Sequence, residues 1–568
     1  MIMSGVELQN QTVTSAATVC IVGAGPAGIT LACELDGCGF PVILLESGTI
    51  TSSTVPVDDY VGKFAPPHPD TTAYRRASLG GTSSIWGGRC VPLDPIDFEA
   101  RDYIRHSGWP IPYLEVARHY PRALTYCDAG ANEFTVNGSL HRASPTFPEN
   151  HNDATLITDR IERYSLPTNF GLKYRKQLRN SVNVTVVLQA RCVALVKSDS
   201  ADRIASVIVV DSAGRRVTLN AITVVLATGG IEVPRLLLNS NYDGGGLGNR
   251  YDCLGRFYSC HFENTIGKIV APKTRIPFKF EKTRDGIYSR RKLQFSPAAQ
   301  RKNRLLNTAF RFHFPDYSNA LHGSAVLSTI FLAKSVLIPE YRAILSHHQA
   351  QGAQSSAGQH LKNIAKGLPE VIGFGAQWLL LRKLARRKLP YTLVPNADGS
   401  FPLEFNSEQT PSADSRVLLC QETDRHGMRR VDVRWHIDEA DINATYRGFM
   451  VLREALLKSY GCHLLVDQAS LRDQVAASVP LGGHHIGTAR MSTSERTGVV
   501  DTNCAVHDLQ NLFIASSAVF PTSGHANPTL TIVALSIRLA DHLKRILDLT
   551  NRPLQKAFKF ADFNRDIM

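Results

Sequence analysis

No two cysteines of this chain stand in C-x-x-C spacing, and its eleven cysteines, an odd number, form no regular framework. That argues against a disulfide-stapled or zinc-ribbon fold, and it fits the reduced thiols of a cytoplasmic protein. The first twenty residues, "MIMSGVELQNQTVTSAATVC", hold no basic residue and no long apolar core, so no secretory signal is expected. Nowhere is there an uninterrupted apolar run of about eighteen residues, so no membrane-spanning helix is expected. Internal repeats, low-complexity linkers and the ligand spacings of a metal centre are also lacking. Net charge is +13, but the basic residues are spread along the chain, with only local clusters such as Arg382 to Lys388. No nucleic-acid-binding signature accompanies them, so no nucleic-acid partner is expected.

What the chain does have begins at residue 18, with "TVCIVGAGPAGITLACELDGCGFPVILLESG". Val19 to Val22 reads as a buried parallel strand, Gly23, Gly25 and Gly28 follow in G-x-G-x-x-G spacing, and Ile29 to Leu35 reads as a helix. A second strand, Val42 to Leu45, ends at Glu46. Gly23 suits the tight turn, Gly25 lets backbone approach a pyrophosphate, and Gly28 lets helix pack on strand. The helix N-terminus offers free N–H groups to phosphate, and Glu46 offers acceptors to ribose hydroxyls. Strand, glycines, helix, strand and acid together predict a dinucleotide site of Rossmann-like α/β form. They do not choose FAD over NAD.

Three further blocks narrow the reading. "RRASLGGTSSIWGGRCVPLDP" (75–95) is a glycine- and serine-rich loop around Trp86, suited to lying along a ligand. In the second block, runs Val184 to Leu188 and Ala205 to Val210 precede "ITVVLATGGIEVPRLLLNS". There Val224 to Leu226 reads as a strand, Thr228 to Gly230 as a tight exit, and Pro234 as the start of a helix. The third block holds "LGGHHIGTARMS" and "SGHANPTLTIVALSIRLADHL", with a short strand Leu512 to Ala515 and a helix Thr529 to Leu543.

In this order, the GAGPAG turn, the GGTSS…W loop, the ATGG-IEVPRLLL block and the HxxGT…ANPT pair resemble the glucose–methanol–choline (GMC) family of FAD oxidoreductases. "GTARM" and "GHANPTLT" look most like the branch with pyranose oxidases and other sugar or glycoside oxidoreductases. The resemblance implies an FAD enzyme that oxidises a CH–OH group of a sugar, glycoside or similar polyol. It implies that His484 of HxxGT takes the hydroxyl proton and that Asn527 orients the alcohol, although Asn there also suits a helix N-cap. His485 falls one place off the pattern, and His525 of "GHAN" lies close in sequence; both are candidate substrate contacts. FAD contacts are carried over to Gly81, Thr82, Ser83, Trp86, Cys192, Val193, Ala227, Gly229, Ser517, Ala518, Asn527, Pro528 and Thr529, beside Gly23, Gly25, Gly28 and Glu46. Some pyranose oxidases tether FAD through a histidine just before this loop's Trp. Here that residue is Ile85, so noncovalent FAD is expected.

The expected architecture is two-lobed, with an FAD-binding lobe over 16–255 and 476–550 and an inserted antiparallel-sheet substrate lobe over 256–475. "TAFRFHF" (308–314), "SRVLLCQE" (415–422) and "RRVDVRWHI" (429–437) read as its strands. Within it, 323–395 reads as a helical insert. Residues 378–391, "WLLLRKLARRKLPY", are basic and amphipathic, fitting either an anionic membrane surface or packing on the domain or an oligomer partner. Oxygen and quinone both stand as electron acceptors. A redox-silent flavin lyase and a quinone-linked peripheral-membrane dehydrogenase are the alternative functions.

Overall fold

The computed structural model describes residues 1–9, 17–51, 57–141, 154–200, 202–240, 245–271, 279–333, 356–391, 393–394 and 399–562. Two eight-stranded sheets organise them. The first runs in the order Ile2–Ser4, Val184–Leu188, Val42–Leu45, Ala17–Val22, Arg216–Leu226, Ile204–Asp211, Ala190–Lys197, with Leu512–Ile514 added on Arg216–Leu226. Its nucleotide side is parallel, as in an α/β unit: Val42–Leu45, Ala17–Val22 and the end of Arg216–Leu226 lie side by side in one direction. These strands are apolar on both faces because helix Pro26–Glu34 packs on the sheet and strand Ala190–Lys197 also lies against it, and Val19, Ile21, Leu44 and Val225 are all buried.

The second sheet is antiparallel, in the order His463–Leu465, Phe262–Val270, Phe401–Ser407, Thr308–Phe312, Tyr288–Phe295, Leu156–Tyr164, Arg89–Cys90, with Glu281–Lys282 added on Tyr288–Phe295. Phe262, Phe295, Phe310, Phe405 and Phe449 stack edge to face in its core. Two of its strands, Arg89–Cys90 and Leu156–Tyr164, precede residue 255, so the expected boundary at 255/256 is wrong for this sheet. Leu156–Tyr164 pairs with Tyr288–Phe295 over most of its length, and these pairings place the early strands in the substrate lobe. The expected strands at 415–422 and 429–437 are the hairpin Arg416–Thr423 and Arg429–Arg434, which forms a separate three-stranded sheet with Lys63–Phe64.

The helix expected to start at Pro234 starts five residues earlier, spanning Gly229–Ser240 with Pro234 inside. Proline has no N–H for the carbonyl four residues back, Gly230 O. The Thr488 hydroxyl donates to that carbonyl at 2.6 Å instead. The bond fastens the His484–Thr488 loop to the helix, and it explains how the helix tolerates an interior proline. Of the helical insert, Ala325–Leu332, Ala357–Lys366, Leu368–Trp378 and a π-helical turn Leu379–Leu384 are described. Residues 334–355 lie outside the described residues, and 385–391 is not helical. No described helix is long and apolar enough to cross a membrane.

Candidate active site

The nucleotide turn is built as its glycines require. Gly23 has φ +101°, and a Cβ on Gly28 would lie 1.9 Å from Gly23 O. A Cβ on Gly25 would meet nothing within 4 Å, so the backbone at the N-terminus of helix Pro26–Glu34 faces open space. Glu46, at the end of the next strand, accepts from Ala24 N at 3.0 Å and Gly48 N at 2.8 Å. Burial pushes its carboxyl up to about 7. The loop bearing Gly80 and Gly81 packs on this turn, Gly80 N donating to Ala24 O at 2.8 Å. Ser83 Oγ fastens the same loop to Phe170 N at 3.0 Å. In strand Ala190–Lys197 the pairing shifts between Cys192 and Ala194, so Val193 is the extra residue of a bulge, which frees backbone at that point.

Between the two large sheets lies a cavity of about 680 Å³. Thr82, Trp86, Gly229, His484, His485, Ser517, Asn527, Pro528 and Thr529 line it. Gly23, Gly25, Gly28, Glu46, Gly81, Ser83, Cys192, Val193, Ala227 and Ala518 do not; they belong to the turns, strands and caps behind and beside it. Thr228, also in the wall, has a buried hydroxyl without a partner among the described residues. Pro528 and Thr529 bring the N-terminus of helix Thr529–Asp562 to the wall, with its first-turn N–H groups free for an acceptor. The open Gly25 backbone, the orphaned Thr228 hydroxyl, the Val193 bulge and this helix start together fit an extended dinucleotide such as FAD.

His525 is a correction. It does not line the cavity: its Nε2 lies 2.9 Å from Lys292 Nζ and 3.2 Å from Asp94 Oδ2, in a buried polar cluster behind the wall. The residue has the right sequence distance, but the turn after Ser523 carries it to the other side.

His484 and Asn527 do meet in the wall, and hydrogen-bond logic fixes the protons between them. His261 Nε2 lies 3.3 Å from Ser523 O. A carbonyl only accepts, so Nε2 carries the hydrogen and Nδ1 is left an acceptor. His484 Nδ1, 2.8 Å from His261 Nδ1, is therefore the donor. That leaves the lone pair of His484 on Nε2, which accepts from Asn527 Nδ2 at 2.9 Å. The Asn527 amide is held this way round because Arg89 Nη1 donates to its Oδ1 at 3.5 Å. Arg89 is itself paired with Glu162, which bridges to Arg311 at 2.7 Å in a fully buried contact. Burial holds His484 well below the usual imidazole range, and His261, Arg89 and His485 add to the shift. The ring is thus neutral at neutral pH, with its acceptor nitrogen in the cavity wall, hydrogen-bonded to the Asn527 amide.

His485 faces a second set. His68 Nδ1 donates to Pro69 O at 2.7 Å, so Tyr258 donates to His68 Nε2 and accepts from His485 Nδ1, each at 2.7 Å. His485 Nε2 is left a bare, buried acceptor without a partner among the described residues. His68, Cys260 and His485 converge with ligand atoms within 4.8 Å of one another, a spacing that suits a metal ion. The Tyr258 hydroxyl fills that centre, and Cys260 Sγ lies 3.3 Å from it.

Arg89, His261, Tyr258 and Glu162 were missed from sequence. Arg89 ends the quoted "SSIWGGR" loop and could have been flagged by its place there. His261 sits in the apolar stretch "YSCHFEN", where a histidine is indistinguishable from a core residue.

Residues 411–536 match a family model described as GMC oxidoreductase. The chain is 22% identical to 2-methyl-1,2-propanediol dehydrogenase of Mycolicibacterium austroafricanum, over 93% of this chain and 95% of that one. It is also 22% identical to the fructose dehydrogenase large subunit of Gluconobacter japonicus, over 94% and 98%. In fold it resembles pyridoxine 4-oxidase from Mesorbium loti, with 17% identity, a TM-score of 0.51, and 93% of this chain and 99% of that one covered. The family match covers the stretch that carries His484 and Asn527, and the 22% likenesses run over nearly the whole chain; the protein is similar to the GMC oxidoreductases, a likeness that supports an FAD-dependent alcohol oxidoreductase.

Proposed function

We propose that the protein oxidises a CH–OH group of a sugar, glycoside or similar polyol to a carbonyl, with His484 as the base and FAD bound noncovalently. The observation that carries this reading is the acceptor lone pair of neutral His484 Nε2, paired with Asn527 Nδ2 at 2.9 Å on the cavity wall. A substrate hydroxyl that replaces this hydrogen bond accepts from the Asn527 amide and donates its proton to His484 Nε2. Arg89 keeps the amide turned the right way, and orientation of this kind supplies much of a rate. The proton leaves His484 as an imidazolium whose Nδ1–H points at His261 Nδ1, a neutral acceptor, so the charge is hydrogen-bonded when it forms. When bound, FAD supplies the acceptor for the hydride that leaves the same carbon.

The remaining wall supports a substrate with several hydroxyls. Tyr164, Tyr391, Glu404, His313 and Asn264 place phenols, a carboxylate, an imidazole and an amide around the same space. The similarity to a fructose dehydrogenase subunit points the same way. For the flavin link, the side chain preceding Trp86 is that of Ile85, an aliphatic group that cannot form a covalent bond to FAD. Oxygen or a quinone would reoxidise the flavin.

The test is anaerobic mixing of the FAD-loaded protein with a panel of sugars, glycosides, polyols and simple alcohols. Bleaching of the oxidised flavin band near roughly 450 nm by polyols ahead of simple alcohols is expected. Bleaching by none of them would favour a redox-silent lyase on the same fold.

A further inference from the structure

The helical insert presents a surface that the alcohol-oxidation reading does not use. Helix Ala357–Lys366 is anchored to the body: His360 is buried, with Nδ1 3.1 Å from Ser328 Oγ and Phe331 stacked on its ring at 4.4 Å. The next helix, Leu368–Trp378, and its π-helical continuation Leu379–Leu384 have no buried residue at all. Yet they are rich in apolar side chains. Ile372 is 66% exposed, Leu380 60% and Leu384 70%, with Leu368 and Leu379 about half exposed. Leu368–Trp378 packs on helix Ala325–Leu332 by a half-buried side, so packing on the domain accounts for only part of this stretch and leaves these apolar side chains uncovered.

Charge selects the occupant. From 356 to 391 the exposed cations are Lys362, Lys366, Lys383, Arg386 and Lys388, against a single acid, Glu370. Two copies of such a face would repel each other, which argues against self-association. A nucleic acid would leave the leucines in water. An anionic bilayer satisfies both features, since the leucines enter the acyl boundary and the lysines and arginine meet the headgroups.

We propose that Leu368–Leu384 and the basic turn after it dock the protein on an anionic phospholipid surface. The same segment forms part of the cavity wall: Arg382, Pro390 and Tyr391 line it, and the Arg382 guanidinium donates to Leu389 O and Pro390 O, tying wall to helix. Docking therefore sets this wall of the cavity on the membrane side of the protein, near a lipid-dissolved acceptor or alcohol. Bilayer binding stands by itself; only this consequence for the cavity rests on the proposed function.

The experiment is flotation of the FAD-loaded protein with phosphatidylcholine vesicles and with vesicles containing about a third phosphatidylglycerol. Binding to the anionic vesicles, weakened as salt rises from about 0.1 M to about 0.5 M, is expected. Neutralising three cations together (Lys383→Gln, Arg386→Gln, Lys388→Gln) should weaken partitioning roughly 100-fold, at roughly fivefold per charge. Leu379→Ser with Leu380→Ser should weaken it as well. Both variants should keep wild-type flavin content and wild-type flavin reduction by a soluble substrate, which shows that they are folded. Three results would overturn the proposal: no flotation with anionic vesicles, flotation unchanged in both variants, or vesicle-free self-association abolished by the leucine changes. Should flotation succeed while no alcohol reduces the flavin, the docking surface stands and the proposed function falls.

Discussion

His484 and His485 are adjacent in the chain and end in different networks. The first is held by His261 and Asn527, the second by Tyr258 and His68. Because His261 accepts the Nδ1 hydrogen of His484, removing that acceptor should release the other tautomer and leave a buried N–H unpaired. The unpaired group costs about 1–3 kcal/mol. His261→Leu should therefore slow flavin reduction by roughly 10- to 100-fold. His261→Asn, whose amide oxygen can accept, should recover much of that loss; equal loss in both variants would show a packing role only. The pH dependence follows from the same ring. The base is the neutral form, and burial lowers its pKa, so the base survives as pH falls below 6.5 and is lost only on passing the lowered value. The acid limb of the flavin-reduction rate should thus lie well below pH 6.5 when measured by stopped flow. Spacing alone could separate His484 from His485. It could not place His261, 223 residues away between the apolar Cys260 and Phe262 and just before strand Phe262–Val270, nor exclude His525, whose turn faces the wrong side.

The strand–turn–helix at 17–34 was legible in the chain because its glycine requirements are local. Those requirements separate into two kinds. A Cβ on Gly28 collides with Gly23 O, so Gly28→Ala should destabilise the FAD lobe itself. A Cβ on Gly25 meets only open space, so Gly25→Val should purify without flavin and melt at the thermal midpoint of flavin-stripped wild type. Flavin retained in full by Gly25→Val would remove the pyrophosphate from this turn. Helix Gly229–Ser240 was legible only in part. First-turn preference put Pro234 at its start, and the contact that overrides this preference comes from Thr488, 258 residues on. Local rules place an element well when its hydrogen bonds are local.

Across the whole molecule, alternation in the sequence marked the strands of an antiparallel lobe but not their membership. Leu156–Tyr164 and Arg89–Cys90 join that sheet from the first half of the chain, and they carry Glu162 and Arg89 to the Asn527 amide. The proposed active site is thus assembled from both lobes: His484, the proposed proton acceptor, and the Asn527 amide come from the return segment, and their orientation comes from the antiparallel sheet. The flavin should be held between these lobes without a bond, so acid precipitation should release all of it to the supernatant; colour kept in the pellet would show a covalent link. The central claim, that His484 takes the alcohol proton, is tested most directly by the anaerobic rate of flavin reduction in His484→Ala against the wild type at equal flavin content. A fall of about 100- to 10,000-fold, the worth of a general base, is the result this mechanism predicts, and an unchanged rate would contradict it.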